Sequence, residues 1–487
     1  MNSNALVFEK YETVIGLEVH VQLSTKSKVF CADSASFGDQ PNTNISAVSL
    51  AYPGTLPRLN RKAVFFAVRL GLALNSHIEH KNFFDRKNYF YPDLPKGYQI
   101  TQDHKPVCVG GILPIYVDGQ WKSIKIHHIH LEEDAGKSIH DQSDTDSYVD
   151  LNRAGVPLLE IVTEPDMRSS AEVEAFMAAI RQLVRYLDIS DGNMEEGSLR
   201  CDCNISIREK GSGKLNNRCE VKNLNSMKFA RRAIEFETQR QIQIVENGEK
   251  VAQQTLSFDP LTGTTAPLRS KENAHDYRYF PEPDLPPVLL SHDFVKAEKE
   301  NLGSLPWEMV AEMTGTHNLP VDDALLLSEE KPLAVYYLNF LKEGVDAKAA
   351  ANLLIQKIRP YLREQRIEIA DFPLDFRQLS AFVELISSGK VSTTLAYERI
   401  FPLLIENPEA SPLDLATKLD LIKSDDGEFI ESLIVQILEQ NPAEVENYKK
   451  GKKALIGFFI GEVMKKSGGK ADPKTTGALL QKKLGEA

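Results

Sequence analysis

T-V-I-G-L-E-V-H-V-Q-L, Thr13 to Leu23, alternates with a period of two. Val14, Gly16, Glu18, His20 and Gln22 share one face, and Ile15, Leu17, Val19 and Val21 share the other, which predicts a half-buried strand. Its polar face sets an acid and an imidazole about 7 Å apart. A solvated sheet face accounts for that pair equally well, so its meaning depends on the rest of the chain.

A second alternating segment, I-K-I-H-H-I-H-L-E-E-D from Ile124 to Asp134, ends in three consecutive carboxylates before Ala135-Gly136-Lys137. Three adjacent acids repel one another unless a cation lies among them, although an acidic turn facing water is the plainer reading. His127, His128 and His130 raise zinc, but no Cys or His spacing matches a closed zinc site, and a hard cation held by carboxylates fits better. The third segment, V-D-L-N-R-A-G-V-P-L-L-E-I from Val149 to Ile161, sets Glu160 within an apolar run entered through a turn at Gly155 and Pro157. A carboxylate there is paired, protonated or metal-bound, because burying a lone charge is costly. An ion pair from Arg153 to Glu160 that merely braces the core is the competing explanation.

At 487 residues the chain is too long for one core, predicting two or three domains. Up to about residue 295 strand alternation mixes with helices. Ser169-Ser170-Ala171-Glu172 opens one as a capping box, with Val173, Phe176, Met177, Ile180, Val184 and Leu187 on its apolar face. Another runs from Ser226 to near Asn247-Gly248 and carries Lys228, Arg231, Arg232 and Arg240. Pro281, Pro283, Pro286 and Pro287 form a connector, after which helical spacing dominates, interrupted at Asp425-Asp426-Gly427 and Ser467-Gly468-Gly469. Three domains are expected, at 1–295, 296–418 and 419–487.

Five cysteines without a C-x-x-C point to a reducing compartment, and Met1 to Lys10 carries no export or transit signal, so a cytoplasmic protein is expected. The apolar stretch Ala454 to Ile460 is far too short to span a bilayer. The chain is acidic, with 57 Lys and Arg against 69 Asp and Glu, yet Asn441 to Ala487 holds ten Lys and five acids. Lys449, Lys450, Lys452 and Lys453 form the densest run, which without a partner reads as a solvated helix face. Gly136-Lys137-Ser138 and Gly213-Lys214 lack the upstream glycine of a phosphate-binding loop, and there is no G-x-G-x-x-G or G-x-S-x-G. The Ser- and Gly-rich sequence around a Lys that marks glutamine-hydrolysing amidases is also missing.

Taken together, G-L-E-V-H, H-L-E-E-D-A-G-K and V-D-L-N-R-A-G-V-P-L-L-E-I resemble the B subunits of glutamyl-tRNA(Gln)/aspartyl-tRNA(Asn) amidotransferases. So do F-D-R-K-N-Y-F-Y-P-D-L-P-K-G-Y-Q-I-T-Q from Phe84, M-E-E-G-S-L-R-C-D-C-N-I-S from Met194, E-V-K-N-L-N-S from Glu220 and D-Y-R-Y-F-P-E-P-D-L from Asp276. These motifs cover roughly the first 290 residues in family order, and the remainder looks like the family's helical and tail regions. One departure is that only Cys31 follows Phe30, so the cysteine pair that some relatives use for zinc is absent.

The resemblance implies an α+β fold, a glutamine-synthetase-like antiparallel sheet cradle followed by an all-α helical domain and a small helical tail. It implies ATP-dependent phosphorylation and amidation of glutamate on tRNA(Gln) or aspartate on tRNA(Asn), with ATP and Mg²⁺ as cofactors. Ammonia would come from a glutaminase A subunit, with a small C subunit completing a heterotrimer. By resemblance His20, Glu133 and Glu160 hold the metal, Glu133 being preferred to Glu132 on motif alignment alone. Glu18, Lys87, Glu196, Arg200, Asp202 and Asn204 contact nucleotide, phosphate or a second metal, and Lys449, Lys450, Lys452 and Lys453 grip the tRNA. A surface or structural cation is the plainer account of Lys87 and Arg200. A scaffold with a decayed site and a self-contained amide ligase are the alternatives. The joint presence of Glu18, His20, Glu133 and Glu160 speaks against the first, and the basic helical tail against the second.

Overall fold

The computed structural model describes residues 9–139, 142–143, 145–270, 277–422, 427–468, 471 and 473–486. Residues 1–8, Asp276, Asp425, Asp426 and Gly469, which enter the readings above, lie outside the described residues. The chain divides into two compact units, Met1–Trp307 and Glu308–Ala487.

The first unit is built on a ten-stranded sheet. Its principal strands are β1 (Tyr11–Gln22), β2 (Gln120–Glu133), β3 (Pro157–Thr163), β4 (Leu199–Glu209), β5 (Cys219–Leu224), β6 (Gln254–Asp259) and β7 (Thr264–Ser270). They lie in the order β7-β6-β5-β4-β1-β3-β2, and Cys108–Val109, His77–Ile78 and Ile112–Val117 extend the β2 side. Pairing is antiparallel throughout except for β5 with β6, which run parallel. The strand expected from Thr13 is therefore present, and it is central, paired on both edges.

Alternation along these strands sorts the two faces. Ile15, Leu17, Val19 and Val21 of β1 join Leu159 and Ile161 of β3 and Cys203 and Ile205 of β4 in one buried core. Helices α1 (Arg61–Ala73), α2 (Ser170–Tyr186) and α3 (Met227–Glu246) supply the other half of that core. The apolar face predicted for α2 is buried as expected, and Ser169 Oγ accepts from the Glu172 N–H at 3.2 Å. The capping box is half made, because the Glu172 carboxylate turns to Arg168 N–H and Lys122 Nζ. Ser226 and Asn247 cap α3 at the predicted ends. Helix α4 (His292–Glu300) packs on α1 through Phe294 and Phe65, ring centres 4.8 Å apart, and the core continues to Leu305.

Among its described residues the second unit contains helices and no strand. Its last helices, Gly427–Gln440, Pro442–Lys449, Ile456–Lys466 and Pro473–Glu486, enclose a core of their own. Ile430, Ile434 and Ile437 meet Phe459, Val463, Leu480 and Leu484 there. Among the described residues no helix is long and apolar enough to cross a membrane.

Candidate active site

The polar face of the sheet carries the chemistry. Register sets His20 of β1 opposite Glu160 of β3, and Glu160 opposite His130 of β2, so three neighbouring strands contribute one row. His20 Nε2 stands 3.2 Å from Glu160 Oε2, and His130 Nε2 stands 3.5 Å from that oxygen and 3.4 Å from Glu132 Oε2. Thr101 Oγ1 donates to Glu132 at 3.0 Å. Donor atoms of His20, Glu132 and Glu160 all lie within 4.8 Å of one another, close enough to share one cation. Burial disfavours the charged His20 imidazole, but Glu160 outweighs it and raises the ring to about 9. Burial likewise opposes ionisation of Glu160, and His130 and His20 reverse it, holding this carboxyl well below the usual range.

A second cluster lies one step along β1. Glu18, Asp202 and Glu220 form it from β1, β4 and β5, again within 4.8 Å. Lys222 Nζ bridges Asp202 at 2.7 Å and Glu220 at 3.2 Å, and Asn204 Nδ2 donates to Glu18 at 2.9 Å. Burial, then Glu160 and Glu220, push the Glu18 carboxyl up. Arg200 donates through Nη2 to Asp134 at 2.7 Å, while Arg200 Nε and Asn204 Oδ1 are buried without a hydrogen-bond partner. Buried orphans of this kind, a donor on Arg200 and an acceptor on Asn204, suit a bound ligand with both acceptor and donor atoms. A cleft of about 780 Å³ opens over the first cluster, lined by Glu18, Lys87, His130, Glu132, Glu160 and Tyr279. A smaller cavity of about 360 Å³ shares Glu18 and continues past Asn204 and Arg218.

Residues 13–296 match the family model of the GatB/GatE catalytic domain, and residues 336–484 match that of the GatB domain. The chain belongs to the GatB family. It is 48% identical over 476 residues to the B subunit of the aspartyl/glutamyl-tRNA(Asn/Gln) amidotransferase of Trichlorobacter lovleyi, spanning 98% of this chain and 99% of that one. It is 46% identical over 477 residues to the protein of the same name from Thermodesulfovibrio yellowstonii, spanning 98% and 100%. The Chlorobaculum tepidum protein of that name is 44% identical over 474 residues, spanning 97% and 99%. The chain is thus of the amidotransferase B-subunit type, a component of a ligase.

Within this GatB-family chain, the residues singled out in the sequence are partly brought together. His20 and Glu160 meet as described, and Glu18, Asp202 and Asn204 stand beside them. Glu133 does not join them; the structure sets Glu132 in its place. The reason is a bulge in β2: Val162 of β3 faces His128 and Thr163 faces Ile126, leaving His127 unopposed. Before the bulge Ile124 and Ile126 point to the core, and after it Ile129 and Leu131 do. His128, His130 and Glu132 thereby reach the polar face, and Glu133 falls in phase with the core residues. Its carboxylate accepts from the Ile100 N–H at 2.8 Å and pairs with Lys96 Nζ at 2.5 Å.

Arg153 does not pair with Glu160 either; it donates to the carbonyls of Ala135 and Gly136 and lies 3.7 Å from Asp134. Glu196 is exposed in the turn before β4 and is in neither carboxylate cluster. Lys87 lines the cleft, with burial opposing its charge and Tyr279, Glu132 and Glu160 raising its pKa. Lys449, Lys450, Lys452 and Lys453 are all exposed; Lys450 pairs with Glu446 and Lys453 lies 4.2 Å from the Tyr448 ring centre. Sequence reasoning passed over Glu220 and Lys222, although E-V-K-N-L-N-S has both at a spacing of two, the mark of one strand face.

Proposed function

We propose that the chain is the kinase and transamidase subunit of an aminoacyl-tRNA amidotransferase. It amidates the side-chain carboxylate of glutamate on tRNA(Gln), or of aspartate on tRNA(Asn). The observation that supports this best is the pair of carboxylate clusters on one sheet face, flanked by Lys87, Arg200 and Lys222. A largely antiparallel sheet with acids on one face also suits the glutamine-synthetase-like cradle that the sequence motifs imply.

Oxide is a very poor leaving group, so a carboxylate becomes an amide readily only after activation. In the reading proposed, a side-chain carboxylate oxygen bonds to the terminal phosphorus of ATP and ADP leaves. Ammonia then bonds to the acyl carbon, inorganic phosphate leaves, and the amide keeps the remaining carbonyl oxygen. Two carboxylates and one imidazole make His20, Glu132 and Glu160 a donor set able to hold Mg²⁺, and Glu18, Asp202 and Glu220 offer a second. Mg²⁺ would neutralise charge on the triphosphate. Lys87 and Arg200 supply fixed positive charge to phosphate oxygens, the unpartnered Arg200 Nε being a donor ready for one. Lys222 lies between Asp202 and Glu220 as a fixed positive charge, and the cavity beside Asn204 offers room for part of the nucleotide.

The nitrogen comes from glutamine hydrolysed on a partner glutaminase subunit, with a small third subunit completing the complex, and the lysine-rich tail contacts tRNA phosphates. The test is to supply the chain with these partners, ATP, Mg²⁺ and Glu-tRNA(Gln), and to measure ADP and Gln-tRNA(Gln). Both should appear, and ammonium should replace glutamine when the glutaminase nucleophile is disabled. A complex that binds the tRNA yet forms no ADP under either nitrogen source would refute the reading.

A further inference from the structure

Two of the motifs quoted above, F-D-R-K-N-Y-F-Y-P-D-L and D-Y-R-Y-F-P-E-P-D-L, meet in space. Asp85–Asn88 and Phe280–Pro281 pair antiparallel, with Phe280 opposite Arg86. Arg86 clamps the pairing through a two-bonded contact to the buried Glu282 carboxylate, at 2.7 and 2.8 Å. Asn88 Nδ2 also bonds the carbonyls of Tyr277 and Arg278. The tyrosines beyond each strand are thereby aligned. Tyr279, on the cleft wall, is 6.0 Å from Tyr277, which is 6.1 Å from Tyr89, which is 5.8 Å from Tyr91, all edge-to-face. Lys87 Nζ lies 4.8 Å from the Tyr277 ring centre and 5.8 Å from that of Tyr89. At the outer end Tyr91 is 49% exposed and its neighbour Phe90 81%.

We propose that this tyrosine ladder, with Phe90, is the stacking platform for the unpaired 3′ end of the aminoacylated RNA. The inference rests on the function proposed above. An acyl group esterified to the terminal ribose can enter the cleft only if the terminal nucleotides lie at its mouth. The ladder runs from Tyr279 on the cleft wall to solvent-exposed rings at Tyr91 and Phe90. Unpaired bases stack on aromatic rings irrespective of sequence, and a cation beneath the rings adds attraction for the backbone. Two other occupants are conceivable for exposed aromatics beside a nucleotide site, the adenine of ATP and the surface of the glutaminase partner, but neither needs a ladder reaching from cleft to solvent.

The experiment uses the assembled complex with Tyr91→Ala, Phe90→Ala and Tyr91→Trp. Its probe is Glu-tRNA(Gln) carrying 2-aminopurine as the terminal base, whose fluorescence is quenched by stacking. Both alanine variants should raise KM for aminoacyl-tRNA by roughly tenfold, a typical loss for one stacked base. They should also relieve the quenching and leave kcat, the KM for ATP and the ratio of glutamine- to ammonium-dependent rates unchanged. Tyr91→Trp should restore both tRNA readouts. Unchanged quenching and KM for tRNA in both alanine variants would overturn the proposal. So would a rise confined to the KM for ATP, which would assign the platform to adenine, or a loss seen with glutamine and absent with ammonium, which would assign it to the partner protein. If the unaltered complex makes no amide, the functional reading fails separately, and the quenching still decides whether the ladder stacks the RNA end.

Discussion

Glu132 and Glu133 are adjacent in the chain and opposite in consequence. Glu132 lies beside His130 on the polar face of β2, within reach of Glu160 on the neighbouring strand, whereas Glu133 holds the Ile100 N–H and the Lys96 ammonium. Glu132→Gln should therefore abolish amidation, as His20→Ala and Glu160→Ala should, with the urea midpoint little changed. Glu133→Gln should retain catalysis and lower stability by roughly 1–3 kcal/mol, the usual loss when a buried donor loses its charged acceptor. Catalytic loss in Glu133→Gln at unchanged stability would reverse the assignment. Asp134 supplies a pH-dependent counterpart. Burial alone would raise its carboxyl, but Arg200 and Arg153 hold it below the ordinary aspartate range. A depressed carboxyl stabilises the fold above its unfolded value and loses that contribution as pH falls toward its folded one. Asp134→Asn should lower stability at neutral pH and flatten the fall between about pH 5 and 2, as urea unfolding across that range will show. Period-two alternation made the Glu18 and His20 face legible. The choice between Glu132 and Glu133 was also written in the chain, where apolar positions change parity from Ile124 and Ile126 to Ile129 and Leu131 across His127-His128, but motif alignment overrode that signal. Cross-strand partners such as Lys222 with Asp202 depend on register, which no local pattern reports.

The bulge in β2 and the turn before β3 aim the site as elements. Gly155 adopts φ +86°, and its N–H bonds the Asp134 carbonyl at 2.8 Å, so the turn that delivers Glu160 is tied to the end of the strand that delivers Glu132. A Cβ there would stand 3.4 Å from Lys28 Cδ, which is tolerable, so the cost of Gly155→Ala is one of backbone conformation, about 1–2 kcal/mol. Both the urea midpoint and the kcat should fall, because the Glu160 strand shifts with the turn. A variant as stable as the parent would show that the turn has another low-energy form. The helices were the most legible elements, since capping residues and the 3.6-residue repeat are local; Ser226 and Asn247 mark both ends of α3. The parallel pairing of β5 with β6 was not foreseeable, because β6 carries the same alternation whichever way it runs.

At the scale of the molecule, the lysine-rich tail and the carboxylate sheet lie in different compact units. Removing Asn441 onward would cut through the core that joins Ile430, Ile434 and Ile437 to Phe459, Val463 and Leu480, so truncation confounds charge with folding. Neutralising Lys449, Lys450, Lys452 and Lys453 together to Gln is the cleaner change, since all four are exposed. It should raise KM for aminoacyl-tRNA with kcat kept, and reduce the slope of log affinity against log salt by up to roughly 3. An unchanged salt slope would return this run to a solvated helix face. Length indicated more than one domain, but where the first unit ends was not local information. Strand alternation stops before α4, yet α4 packs back on α1.

The strand made first is the one that must wait longest. β1 lies at the centre of the sheet, and its two edges are closed by segments that begin at Pro157 and Leu199. At translation rates of about 5–20 residues per second, roughly 10–40 s pass before both partners have been synthesised, and longer before they clear the ribosome. Throughout that interval a strand with one largely apolar face and two unpaired edges is exposed, the condition under which nascent chains self-associate or recruit chaperones. Both side-chain clusters combine a residue of β1 with residues of later strands, so neither is assembled until β1 has paired with them. Stalled nascent chains released after Thr163 should be protease-sensitive along β1, and those released after Trp307 should be protected. Early protection would mean that β1 finds a temporary partner the finished fold does not retain.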